Sequence, residues 1–123
     1  MNTLEVQSPS WSQGMAIPAQ HTCDGANSSP ELSWAEGPNG TKTYALLCDD
    51  PDAPIRAWHH WVIWNLTQTR LEAEVPPIAE LDGGAVQGRN SWSRYGYGGP
   101  CPPSGVHRYY FHVFALDTTL TLP

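Results

Sequence analysis

The run Trp58-His59-His60-Trp61-Val62-Ile63-Trp64-Asn65-Leu66 interleaves tryptophans with β-branched side chains and holds neither glycine nor proline. Such a run reads as a buried strand, because bulky and branched side chains fit a pleated surface packed on both sides. It follows Asp49-Asp50-Pro51-Asp52-Ala53-Pro54, in which carboxylates stand on a turn that prolines stiffen. The two-residue period puts His60, Val62, Trp64 and Leu66 on one face and His59, Trp61, Ile63 and Asn65 on the other. A second cluster, Gly98-Gly99-Pro100-Cys101-Pro102-Pro103-Ser104-Gly105-Val106-His107-Arg108-Tyr109-Tyr110-Phe111, repeats the arrangement of a stiff loop with a histidine heading an aromatic strand. Side by side, the two heads make one small pocket.

The chain of 123 residues suits a single domain, spanning 1–123, with one core. A net charge of -6 with a single lysine, Lys42, argues against a nucleic-acid surface, which needs clustered cations. Any anion bound must be small and held locally. Met1 to Val6 lacks the basic and apolar stretches of a signal peptide, and no apolar run approaches the ~20 residues that span a bilayer. A cytoplasmic protein without a membrane span is the expectation. Cys23, Cys48 and Cys101 are odd in number and lack metal-ligand spacing, so reduced thiols are expected, with Cys48 a small core residue and Cys101 exposed.

Between Ser8 and Ala35 the punctuation of Gly14, Pro18, Gly25 and Pro30 predicts short strands and turns, with Leu32 and Trp34 on one face. Lys42 to Cys48 reads as a strand buried on both faces. Thr67 to Asp82 reads as loop, and the glycine-rich stretch from Gly83 to Pro100 as a shaped loop near a site. His107 to Leu116 is the last strand, with His107, Tyr109, Phe111 and Val113 on one face. No segment carries a helical period. An all-β, antiparallel β-sandwich with Greek-key-like connections is the expected fold.

Read together, Thr22-Cys23-Asp24-Gly25, Ser29-Pro30-Glu31-Leu32-Ser33-Trp34, Asp50-Pro51-Asp52-Ala53-Pro54, Trp58-His59-His60-Trp61-Val62, Gln87-Gly88-Arg89-Asn90-Ser91, Gly96-Tyr97-Gly98-Gly99-Pro100 and Gly105-Val106-His107-Arg108-Tyr109 resemble the phosphatidylethanolamine-binding protein family. Its members include the Raf kinase inhibitor protein and the plant flowering-time regulators, and the bacterial and archaeal branch is the nearest in pattern. The resemblance implies a sandwich with a small anion pocket for phosphate or a phospholipid head group, needing no metal or cofactor. By position that pocket would comprise Asp50, His60, Pro102, Pro103, His107 and Tyr109. A cis peptide at Ala53-Pro54 is also implied. Two departures stand out: the link Ile55-Arg56-Ala57 lacks the tyrosine of some animal members, and the family normally continues past the last strand into a helix and a further strand. Either the sequence is a truncated version, or a partner or a homodimer mate is expected to cover the surface so exposed.

His60 and His107 can hold phosphate oxygens as imidazolium or as N–H donors, and Tyr109 adds a hydroxyl. Asp50 is then expected to orient a histidine or raise its pKa, so that affinity rises as pH falls. His59 and His112 are expected as hydrogen-bonded core residues, Asp49 and Asp52 as turn caps, and Trp61 and Trp64 as core. His21 carries no signal. Two rival readings remain: a metal-dependent hydrolase using His60, His107 and Asp50, and an inhibitor of kinases or proteases acting through a surface away from the pocket.

Overall fold

The computed structural model describes residues 2–9, 17–23, 25–50, 58–99 and 109–120. Its strands are β1 (Asn2–Leu4), β2 (Val6–Gln7), β3 (Leu32–Trp34), β4 (Thr43–Asp50), β5 (Trp58–Leu66), β6 (Arg70–Leu71), β7 (Val86–Gln87) and β8 (Tyr110–Leu116). They form two antiparallel sheets, one in the order β1-β8-β4-β5-β7 and one in the order β2-β3-β6. The last strand in sequence lies between the first and the fourth, a Greek-key-like return. Among the described residues there is no α-helix, only 3₁₀ turns at Ala19–His21 and Asp82–Gly84. The expected antiparallel sandwich is thus the fold.

The core lies between the sheets. Leu32 and Trp34 of β3 face Tyr44, Leu46 and Cys48 of β4, Trp61, Ile63 and Leu66 of β5, and Val113 and Ala115 of β8. Strand β4 sits centrally, paired with β5 and β8, and its residues alternate between buried and half-buried rather than being buried on both faces. Its other face carries Ala45 and Leu47, beside Val62, Trp64 and Phe114, all half-buried. Trp64, expected in the core, belongs to this outer face and packs over Gly88, whose added Cβ would come within 3.0 Å of the indole.

Strand β5 departs from strict alternation. Against β4 the register runs Tyr44 with Leu66, then Leu46 with Ile63, and later Cys48 with Trp61, then Asp49 with His59. Each step accommodates one extra residue in β5, so the strand bulges twice. The first bulge holds Asn65 at φ 59, a left-handed conformation that asparagine tolerates. It returns Leu66 to the core beside Ile63 and Trp61, where alternation had placed it opposite. Asn65 also clasps the tail: its Nδ2 donates to the Leu120 carbonyl at 2.9 Å, and the Leu120 N–H donates to its Oδ1 at 2.8 Å.

Two loop expectations are corrected. Thr67 to Asp82 contains β6, and the glycine-rich stretch contains β7. Pairing partners offered by β3 and β5 turn these short polar segments into edge strands. The thiols also differ from expectation: Cys48 is free and buried, as read, but Cys23 is disulfide-bonded. An odd count rules out a complete framework, not a single bond.

Candidate functional site

Of the residues expected in the pocket, Asp50, His60 and Tyr109 are described, whereas Pro102, Pro103 and His107 lie outside the described residues, as does the Ala53-Pro54 bond. The second bulge explains how His60 reaches the site. With His59 aligned to Asp49 and Trp61 to Cys48, His60 occupies the extra position and turns inward, 3% exposed, while His59 is left exposed. His59 is therefore not a core residue; its backbone is tied to Ser91, whose Oγ accepts the His59 N–H at 2.9 Å and whose N–H donates to the His59 carbonyl at 2.9 Å.

Asp49 and Asp50 end strand β4 rather than standing on a turn. Alternation sends them to opposite faces. Asp50 is buried, at 4% exposure, on the side of Leu46 and Cys48. Asp49 points outward, where its Oδ1 lies 3.5 Å from Nε2 of His112, so neither residue has the role expected from sequence. That partly exposed pair contributes at most about 1 kcal/mol.

The imidazole of His60 is held on several sides. Trp92 meets it edge-on with ring centroids 5.1 Å apart, and Tyr109 does so at 5.2 Å. Nδ1 lies 2.6 Å from the carbonyl oxygen of Gly98. A carbonyl can only accept, so Nδ1 carries the proton. The Gly98 N–H in turn donates to the His60 carbonyl at 2.9 Å. Burial lowers the pKa of His60, opposed by the Gly98 bond and by the charges of Asp50 and Asp49. Desolvation is the largest effect, so the expected rise from Asp50 is present but outweighed, and the ring is held neutral.

The loop opposite is built around small residues and amides. A Cβ on Gly98 would come within 2.5 Å of the Trp92 ring, so only glycine lets the indole lie against the loop. Asn90 shapes the turn: its Oδ1 accepts the Trp92 N–H at 2.9 Å and its Nδ2 donates to the Gly96 carbonyl at 3.0 Å. The Gly99 N–H donates to Asn27 Oδ1 at 2.8 Å, and the Tyr97 hydroxyl donates to the His21 carbonyl at 2.7 Å. Burial pushes the Tyr97 hydroxyl far up, which keeps it a neutral donor. His21 is itself buried, with Nδ1 donating to the Ser28 carbonyl at 2.9 Å. It braces the segment behind the site.

Trp92 was invisible in the sequence, since a tryptophan amid polar loop residues has no periodicity to place it. The paired glycines at 98 and 99 were the available signal. A hollow of about 270 Å³ lies at the far end of β8 between Pro38–Thr41 and Ala115–Asp117. Asp117 is its one ionisable side chain, which makes it a poor anion site.

Residues 7–123 match the family model for phosphatidylethanolamine-binding protein. The chain is 56% identical over 108 residues to a UPF0098 protein of Methanothermobacter thermautotrophicus, covering 86% of this chain and 72% of that protein. It is 48% identical over 125 residues to a UPF0098 protein of Aquifex aeolicus, covering 98% of this chain and 72% of that one. Among solved structures, a putative phosphatidylethanolamine-binding protein homolog of Chlamydia trachomatis, CT736, superposes with a TM-score of 0.86 at 35% identity, over 100% of this chain and 81% of its own. YbcL of E. coli, described as a member of the mammalian family, gives 0.86 at 38% identity, over 98% and 80%. The order of the motifs, the two-sheet architecture and the length of the matched segment agree, and the chain belongs to the phosphatidylethanolamine-binding protein family.

Proposed function

We propose that this domain, 1–123, is a non-catalytic binding protein whose pocket takes a phosphate or a phosphorylated head group where Asp50, His60 and Tyr109 meet. The observation that carries the reading is His60 itself. A histidine buried beside a carboxylate, flanked by Trp92 and Tyr109 and locked to Gly98, is positioned far more closely than a packing residue requires. Pro102, Pro103 and His107 complete the proposed pocket by the family pattern.

The hydrolase reading draws on His107, outside the described residues; among the described residues no three His, Cys, Asp or Glu side chains come together as a ligand set. Regulation of a kinase or another protein would be a consequence of the same pocket. Among the described residues no helix is long and apolar enough to cross a membrane. The cytoplasmic residence expected from sequence is weighed against by the disulfide of Cys23, since such bonds are rare in cytosolic proteins outside hyperthermophiles.

Calorimetric titration of metal-free protein with phosphate and phosphoethanolamine, repeated on His60→Gln and His107→Ala, tests the proposal. Saturable binding that both variants weaken supports it. Folded protein that binds neither compound, or metal retained near one equivalent before stripping, would overturn it.

A further inference from the structure

We propose that Asn39 is a site of spontaneous, backbone-assisted deamidation, converting in the folded protein to aspartyl and isoaspartyl residues through a cyclic imide formed with Gly40. The site lies outside the anion pocket and does not depend on it.

The reaction needs a side-chain amide that the backbone nitrogen of the next residue can attack. Asparagine stands at positions 2, 27, 39, 65 and 90, and only Asn39 is followed by glycine. A side chain on the following residue crowds the attacking nitrogen, and glycine removes that obstacle. Hydrogen bonding separates the asparagines further. Asn27 Oδ1 accepts the Gly99 N–H at 2.8 Å, while the N–H that would attack it, that of Ser28, donates to the Gln20 carbonyl at 3.1 Å. Asn90 Nδ2 donates to the Gly96 carbonyl at 3.0 Å, and the Ser91 N–H donates to the His59 carbonyl at 2.9 Å. The Asn65 amide is clasped on both sides by Leu120. Asn39 and Gly40 are both exposed, and among the described residues neither the Asn39 amide nor the Gly40 N–H makes a hydrogen bond.

The turn gives the reaction room. The Thr41 N–H donates to the Pro38 carbonyl at 3.1 Å, and Gly40 sits at φ 91 with Asn39 outside the left-handed region, the pattern of a type II turn. The N–H between the two central residues of such a turn takes no part in the closing bond. Nothing lies within 4 Å of where a Gly40 Cβ would stand, and the hollow between Pro38–Thr41 and Ala115–Asp117 opens beside it to water. The Asn39-Gly40 peptide can therefore rotate without displacing a neighbour. Gly40 N, giving its proton to water or hydroxide, bonds to Asn39 Cγ; the Cγ–Nδ2 bond breaks, and ammonia leaves with a proton taken from water. Water then opens the imide at either carbonyl. Attack at Cγ leaves aspartate; attack at the backbone carbonyl leaves isoaspartate, with the chain running through Cγ.

The product lands at a joint of the fold. Thr41 Oγ1 also donates to the Pro38 carbonyl, at 2.7 Å, and the Lys42 N–H donates to the Leu116 carbonyl at 2.7 Å. Either product sets a carboxylate on the hollow that Asp117 also lines, and isoaspartate lengthens the turn that these bonds close.

The test is peptide mapping by mass spectrometry of the whole chain, incubated at mildly alkaline pH both native and in denaturant. In the native protein Asn39 is expected to take on the mass of the acid at least about tenfold faster than Asn27, Asn65 or Asn90, whose reacting groups must first be released. Both aspartate and isoaspartate are expected at position 39, and denaturant should speed the other three sites far more than this one. Asn39→Gln, whose longer side chain closes the ring poorly, should keep its amide. An Asn39 that persists in native protein and reacts only in denaturant would show that the turn locks the peptide, overturning the proposal. Aspartate formed without isoaspartate would mark direct hydrolysis and overturn it as well. The readout is independent of phosphate titration, so this proposal and the pocket stand or fall separately.

Discussion

His60 and Gly98 hold one another through two hydrogen bonds, Gly98 N–H to the His60 carbonyl at 2.9 Å and His60 Nδ1–H to the Gly98 carbonyl at 2.6 Å. The first ties the 88–99 loop to the edge of β5, and the second fixes the tautomer of the imidazole. Loop position and ring chemistry are therefore a single structural variable: whatever moves Gly98 also changes what Nε2 presents.

The pH dependence of stability follows from His60. Unfolded, it titrates near its ordinary 6.5; folded, burial places its pKa lower. Between those two values the unfolded chain binds more protons, so stability is lost as pH falls through that window. The melting temperature of the ligand-free protein is expected to drop on acidification below about 6.5, and to drop less steeply in His60→Gln. Parallel slopes in the two proteins would assign the effect to other groups.

Gln87 is a heavily engaged buried side chain away from the pocket. It is 1% exposed, its Oε1 accepts from Trp61 Nε1 at 2.7 Å, and its Nε2 donates to the carbonyls of Pro76 and Ile78, each at 2.8 Å. Gln87→Leu keeps the volume but strands a buried indole N–H and frees the 76–78 segment. A loss of about 3 kcal/mol or more in chemical unfolding is expected; a change below about 1 kcal/mol would mean that water replaces the amide.

Gly99 packs against backbone. A Cβ there would collide with the His21 carbonyl and lie 2.9 Å from Thr22 Cα, neither of which can rotate away. Gly99→Ala is expected to cost about 1–3 kcal/mol and to weaken phosphate binding, because the Gly99 N–H to Asn27 bond and the Gly98 carbonyl move together. Unchanged affinity in the folded variant would separate the two glycines.

Thiol titration should distinguish the cysteines. Cys48 is 2% exposed, and burial, then the charges of Asp49 and Asp50, push its thiol well above the ordinary range. Native protein is expected to react with a thiol reagent only on unfolding. With Cys23 disulfide-bonded, unfolded and unreduced protein should show one thiol, and reduced protein three. Three thiols without reductant would show the chain to be reduced as isolated.

Much of the fold was legible because its strands advertise themselves. Leu32 and Trp34, the run from Thr43, the aromatic strand from Trp58 and the alternation of Phe111, Val113 and Ala115 all appear where period and composition put them. Strands β2, β6 and β7 hold two residues each and have no period to read; their strand character comes from partners distant in sequence. The faces of Leu66 and His60 were misread for a different reason. Bulges are set by how two strands fit one another, and an extra residue shifts the phase of everything beyond it.

By itself the sequence determined the layered all-β class and the order of the motifs, because side-chain size and alternation act locally along a strand, whereas Asp50 and His60 became a candidate pair only through the family pattern that those motifs resemble. The tertiary structure alone decided the inward turn of His60, the placement of Trp92 and Tyr109 against its ring, the separation of Asp49 from Asp50, and the tautomer set by Gly98. Those depend on hydrogen bonds and contacts between segments some forty residues apart, which exist only once the sheets have paired.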